Sequence, residues 1–317
     1  MIMNSYKEIG GYLELETYGE SLYHKDPVLL NSGRNAFRYI IRAFDIKTLF
    51  VPYYTCPAIW EAAKAEHCNM VFYDIDINFL PAREFPEDAF ILANNYFGAC
   101  RDNIKRLSEK YKNLIVDNAQ SFYSVPYGIA SFYSPRKFFG LPDGGMLYCE
   151  KLINEPLIED VSFERMSHLL KRYDLNARAG YDDFRDNDAL LSSQPIRQMS
   201  KLTKSLMGNI NYERSREKRN GNFAFLHEKL YKKNELVLPN SMDAPMVYPL
   251  LIKSEGLRKK LIDQKIYTAQ YWGGIEDVAP HCSFSTYLAE YLLPLPIDQR
   301  YGSAEMEIVL EVLDASI

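Results

Sequence analysis

The chain has 317 residues, 47% hydrophobic and 25% charged, with a formal net charge of -5 and a pI near 5.7. That length suits two domains of unequal size, and the mild acidity gives no reason to expect nucleic acid or an anionic membrane as a partner. No stretch reaches the roughly 18 uninterrupted apolar residues of a membrane helix, residues 1–20 lack the order of a signal peptide, and the 5 cysteines and 5 histidines are scattered without disulfide or metal-ligand spacing.

These exclusions lead us to expect a cytoplasmic protein with reduced thiols and no metal site. In chain order, apolar runs at 48–54 (TLFVPYY), 70–75 (MVFYDI), 90–93 (FILA), 114–116 (LIV), 129–133 (IASFY) and 146–149 (MLYC) read as buried strands. Amphipathic patterns at 35–44, 58–66 and 102–112 read as helices between them. Strands apolar throughout and separated by crossover helices predict an α/β fold with a mostly parallel central sheet covered by helices on both faces. Functional groups on such a sheet gather at the carboxyl ends of the strands. Residues 151–232 read as mostly helical and charge-rich. Within them the basic run 214–219 (RSREKR) suits a solvated helix face better than a phosphate site. After a Pro/Asn-marked break at 238–245, a strand at 246–252, a helix at 257–264, a short strand at 267–271 and a helix at 304–313 predict a small α+β domain. We therefore expect a large domain over 1–210, with the helical segment 151–210, and a small one over 211–317.

Three segments carry chemistry. The run LIVDNAQ ends an apolar strand on Asp117 at the carboxyl edge. A poorly solvated carboxylate there either caps the next turn or partners a cation such as a protonated pyridine nitrogen. Downstream, Ser131, Ser134, Arg136 and Lys137 lie on a strand-to-turn passage followed by a glycine-rich loop, with Phe138 and Phe139 beside the lysine. A partly desolvated lysine offers a neutral amine for imine formation, and the serines and Arg136 offer phosphate contacts. Near the start, Ser32, Gly33, Arg34 and Asn35 open a helix, where free amides make an anion site as well as a cap.

These segments and others, taken in order, resemble the DegT-like sugar aminotransferase family of the fold-type I pyridoxal-phosphate (PLP) enzymes. Ser32-Gly33 resembles its SGT motif, Val51-Pro52-Tyr53-Tyr54-Thr55 its VPSxT, and Phe72-Tyr73-Asp74-Ile75-Asp76 its FVDID. Asn95-Tyr96-Phe97-Gly98 resembles HLYG, and Val116-Asp117-Asn118-Ala119-Gln120 resembles EDAAQ. Ser134-Pro135-Arg136-Lys137 with Asp143-Gly144-Gly145 resembles HPTK…GEGG, and Leu293-Pro294-Leu295-Pro296 resembles LSLPL.

The resemblance implies PLP held on Lys137 as a Schiff base, Asp117 on the pyridine nitrogen, Gln120 on the ring's 3-oxygen, and Gly33, Arg34 and Asn35 around the phosphate. Departures from the family pattern shift other roles. Phe132 stands where the family has a phosphate serine, leaving Ser134 or Ser131 to substitute. Cys56 stands where an aromatic residue stacks on the ring, leaving Tyr54, Tyr96 or Phe97. Gly180-Tyr181-Asp182 is a poor echo of the family's GYNYR motif. Tyr96 and Trp272 are candidate substrate contacts, Trp272 having domain packing as its alternative.

The resemblance further implies a homodimer, glutamate as amino donor and a nucleotide-linked keto-sugar as acceptor, in polysaccharide or amino-sugar biosynthesis. Some relatives carry histidine for the lysine and dehydrate, so Lys137 favours amino transfer. Another PLP reaction (lyase, aldolase or dehydratase) and a non-catalytic scaffold are the alternatives.

Overall fold

The structure is a computed structural model and describes residues 10–17, 19 and 21–315. Most of the stretch read for a signal peptide lies outside the described residues. A seven-stranded sheet forms the centre, built from β1 (Val28–Leu30), β2 (Thr48–Pro52), β3 (Asn69–Tyr73), β4 (Phe90–Asn94), β5 (Leu114–Asp117), β6 (Ala130–Tyr133) and β7 (Gly145–Cys149). Their order is β1-β7-β6-β5-β4-β2-β3. Strands β2 to β6 run parallel, and β7 pairs antiparallel with both β6 and β1. Because β7 runs backwards, its first residue, Gly145, lies at the same edge as the last residues of β1, β4, β5 and β6.

Helix α1 (Gly33–Phe44) shows why the local sequence folds as it does. Ser32 caps it, its Oγ accepting from the Asn35 amide at 3.1 Å. Asp45 ends it in the left-handed region at φ 51°. Phe37, Ile40 and Ile41 are buried at helical spacing, and each such side chain contributes about 1.5–3 kcal/mol by leaving water. They join a core with Leu49, Leu92, Ile115 and Phe132 on one face of the sheet. Helix α2 (Pro57–Ala65) packs beside α1, and α3 (Arg101–Lys110) follows β4.

The helical segment contains α4 (Ser167–Asp174), α5 (Tyr181–Ser193) and α6 (Lys201–Gly208), followed by the long α7 (Tyr212–Leu230). Beyond it, β8 (Val247–Leu251) and β9 (Leu292–Pro296) form an antiparallel pair, with α8 (Leu257–Asp263), α9 (Phe284–Tyr291) and α10 (Ser303–Asp314) around it. A second apolar cluster runs without a break from the other face of the large sheet into these elements, from Tyr54 and Val116 through Leu226 to Leu295 and Leu313. Among the described residues no helix is long and apolar enough to cross a membrane, and all five cysteines are free.

Two readings of the sequence need correcting. Residues 267–271 form no strand. The partner of β8 is β9, and 267–271 run as coil and turn. The run 214–219 does lie on a helix, α7, but it is not a wholly solvated face: Arg219 is fully buried.

Candidate active site

The carboxyl edge of β5 ends on Asp117, whose carboxylate accepts from the Ala119 amide at 2.7 Å and is buried. Burial raises its pKa above the ordinary carboxylate value, while the nearby Lys137 ammonium and the Ala119 amide pull it back. A carboxyl in this condition lacks a full counter-charge, and a cation placed beside it would favour its ionised form. The capping reading is realised by the Ala119 contact, and Lys137 stands within electrostatic reach.

Lys137 closes a single 3-10 turn, Pro135–Lys137, that leaves β6 through Ser134. Its amide donates to the Ser134 carbonyl at 3.1 Å. The residue is exposed. That corrects the expectation of a desolvated lysine: Phe138 and Phe139 are buried, but they pack inwards against Phe122 and leave the lysine free.

The start of α1 meets this turn. A Cβ built on Gly33 would sit 3.3 Å from Ser134 Cβ and 3.7 Å from its Oγ, so a side chain at position 33 would fill the space facing the serine. Gly144 and Gly145 seat the Asn31-Ser32-Gly33 backbone from the other side. Gly144 has φ 124° and donates to the Asn31 carbonyl, and a Cβ on Gly145 would fall 2.3 Å from the Ser32 carbonyl oxygen. A helix N-terminus and a serine therefore meet, one turn before Lys137, where an anionic group is best held.

Gln120 is buried. Its Oε1 accepts from the Phe97 amide at 3.1 Å, and its Nε2 has no partner. Tyr54 Oη and Asn94 Oδ1 are likewise buried and unpartnered. Asn94 pairs in register with Asp117 and donates to the Tyr54 carbonyl and Thr55 Oγ1, at 3.3 and 2.8 Å. Buried polar atoms without partners cost free energy. A polar ring bound at Asp117 would offer Gln120 Nε2 a partner. This amide, carboxylate and cradle are of the chemical kinds that a phosphate-bearing pyridine ring needs.

Three residues named from the sequence beside the phosphate have their side chains engaged elsewhere. Arg34 turns to Glu61 on α2, with nitrogen and oxygen 3.2 Å apart, and away from the cradle. Asn35 Nδ2 donates to Asn31 Oδ1 and the Pro195 carbonyl, both at 2.9 Å. Ser131 Oγ donates to the Tyr127 carbonyl and accepts from its amide, at 2.8 and 3.0 Å, so it serves a turn. Ser134 is the serine that remains.

Tyr54 is fully buried, its ring 4.9 Å from Trp272 and 5.6 Å from Tyr96, so protein packing occupies it where a cofactor ring was expected. The Tyr96 hydroxyl donates to the Tyr54 carbonyl at 2.6 Å and is not available to a substrate. Trp272 is buried against Tyr54, the packing alternative weighed for it. Gly180-Tyr181-Asp182 sits at the start of α5, where Gly180 abuts the His168 backbone.

Sequence reasoning missed Asn94, which carries no motif of its own, and understated Asp143. That carboxylate is fully buried, accepts from Ser200 N and Oγ at 3.1 and 3.0 Å and from Thr203 Oγ1, and lies 3.6 Å from the Arg165 guanidinium. It ties the glycine turn to the start of α6. Burial pushes its pKa up to about 6.

No protein-family model and no curated protein matches the sequence. Among solved structures the chain is similar to a DegT DnrJ EryC1 StrS aminotransferase from Brucella abortus, at 17% identity over 92% of this chain and 86% of that one, TM-score 0.60. It is similar to the sugar aminotransferase CalS13 from Micromonospora echinospora, at 13% identity over 91% and 87%, TM-score 0.63. It is also similar to the E. coli GDP-4-keto-6-deoxy-D-mannose-3-dehydratase with bound hydrated PLP, at 18% identity over 91% and 87%, TM-score 0.62. The chain has the fold-type I fold of these proteins.

Proposed function

We propose that the chain is a PLP-dependent aminotransferase in which Lys137 holds the cofactor covalently through Nζ. The observation that carries the reading is the meeting of Lys137 and the buried Asp117 at one sheet edge, with the unpartnered Gln120 amide beside them. When bound, PLP supplies an electron sink for the pair left behind when a substrate carbon loses its proton. Asp117 would face the ring nitrogen and favour its protonated form by ion pairing. Gln120 Nε2 donates to the ring oxygen, and the first turn of α1 with Ser134 Oγ holds the phosphate. Lys137 Nζ would also serve as the general base that takes the substrate's α-proton and returns it. Arg34, Asn35 and Ser131 support this pocket from behind.

The donor in this reading is glutamate and the acceptor a nucleotide-linked keto-sugar. The similarity to a sugar aminotransferase and to a dehydratase acting on a GDP-linked keto-sugar supports the sugar. That same dehydratase supports a second reaction type on this fold, against which Lys137 weighs by its capacity to form the covalent link. The reading also includes a large domain to residue 210, a small domain from 211, a homodimer and a cytoplasmic setting for amino-sugar or polysaccharide synthesis.

The test is the donor half-reaction without acceptor. The reading expects PLP-loaded protein to release one 2-oxoglutarate per bound cofactor from glutamate. Loaded protein that leaves glutamate untouched, and likewise every other amino donor tried, would move it to the lyase, aldolase or dehydratase class.

A further inference from the structure

Arg219, on α7, is the bulkiest fully buried side chain among the described residues. Its guanidinium makes no ion pair among them. Asp298, the acid that acts on it most strongly, is itself paired with Arg300 at 2.7 Å. The donors go to neutral oxygens instead. Nε donates to Gln299 Oε1 at 3.0 Å, Nη1 to the carbonyls of Pro245 and Met246, both at 3.0 Å, and Nη2 to the Phe138 carbonyl at 3.4 Å. The charge lies 4.5 Å from the centroid of the Phe138 ring. Gln299 Nε2 donates to the same Phe138 carbonyl at 2.7 Å. A buried charge without a counter-ion is costly to keep, and an apolar residue of similar size would fill the space without that cost. What only a planar fork of donors can do is bind several carbonyls from different segments at once.

Those segments all border the site. Phe138 follows Lys137 directly. Pro245 and Met246 lead into β8. The Met246 amide donates to the Phe97 carbonyl at 3.0 Å, and the Phe97 amide donates to Gln120 Oε1. One guanidinium therefore joins the peptide after the lysine to the β8 approach and, through Phe97, to the glutamine of the ring pocket.

We propose that Arg219 is a positioning residue for Lys137, with Gln299 as its second arm: together they fix the Phe138 carbonyl and so set where the lysine stands relative to Asp117 and Gln120. The proposal rests on the reading of Lys137 as the covalent lysine.

The test mixes cofactor-free protein with PLP and follows growth of the visible absorbance of the lysine adduct. Borohydride trapping and peptide mass then count the modified Lys137. Arg219→Lys keeps a buried charge but loses the fork. Gln299→Met removes the second arm without touching the charge, and so remains informative if the arginine variant fails to fold. Leu226→Ala, further along α7, weakens the same core without contacting Phe138. We expect Arg219→Lys to form the adduct about 10- to 100-fold more slowly, the scale of a small misplacement of a reacting group. Gln299→Met should slow it in the same direction, and Leu226→Ala should not. In turnover, kcat should fall while the KM for glutamate holds. Wild-type adduct rates in folded Arg219→Lys and Gln299→Met overturn the proposal, as does equal slowing by Leu226→Ala. If wild type itself forms no adduct, the Lys137 reading fails and takes this proposal with it.

Discussion

At the scale of single residues, Asp117 and Lys137 divide a labour that burial sets. The carboxyl is enclosed and short of counter-charge, while the lysine is exposed. Asp117→Asn keeps an oxygen for the Ala119 amide but removes the charge. We expect it to fold and to bind PLP, and to slow the glutamate half-reaction roughly 100-fold or more, in line with losing one preorganised electrostatic partner. Stopped-flow measurement of that half-reaction checks it, and near-normal rates would leave Asp117 as a turn cap only.

Asp143 belongs to the same scale. Its folded pKa, about 6, lies above the unfolded carboxylate value because burial disfavours the charge. The folded state therefore binds the extra proton between about pH 4 and 6. The stability linked to Asp143 is full below that window and is lost as pH rises through it, on the order of 2–3 kcal/mol. Urea unfolding of wild type and Asp143→Asn across this range should show the variant gaining on wild type as pH increases. A constant difference would contradict the assignment.

At the scale of elements, the cradle depends on backbone meeting backbone. Strand β7 can run back beside β1 and still let α1 start at the same edge only because position 145 lacks a Cβ. Gly145→Ala would drive its methyl into the Ser32 carbonyl. We expect a loss of about 1–3 kcal/mol in denaturant unfolding, typical of overpacking, together with weaker PLP binding, because the strain falls on the residues before Gly33. Unchanged stability would mean that the two segments separate at little cost.

Most of the elements were legible because β2 to β7 are apolar on both faces, which leaves little ambiguity between strand and surface. Strand β1 was not legible. Its three residues, Val28–Leu30, are too few to show a period, and the strand is defined by its pairing with β7. Strand β8 was legible despite Pro249, whereas β9, with Pro294 opposite it and Pro296 at its end, was not: proline argues against a strand unless its missing amide faces outwards.

At the scale of the molecule, the joint between the large sheet and the C-terminal elements shows where local reading fails. Asp74, at the end of β3, accepts from the amides of Phe284 and Ser285 at 3.2 Å and from Ser285 Oγ. It thereby supplements the cap of α9 across more than two hundred residues of sequence. The run around Arg219 looks like surface because nothing within it reveals the carbonyls it meets 26 and 27 residues later. The motif order pointed to Lys137, Asp117 and Gln120, and the fold puts Lys137 within electrostatic reach of Asp117, three residues before Gln120. Arg34, Asn35 and Ser131 were adjacent in sequence to cradle residues, and only the packing of α1 on α2, the 194–195 segment and the Tyr127 turn shows that their side chains are already spent.

The central claim is a covalent bond between Lys137 and PLP, and the most direct measurement is the mass of the protein after PLP loading and borohydride reduction, followed by peptide mapping. The account predicts one reduced phosphopyridoxyl group per chain, carried by the peptide containing Lys137 and absent from Lys137→Ala. An unmodified wild-type chain, or the group on another lysine while Lys137→Ala still takes it up, would contradict it.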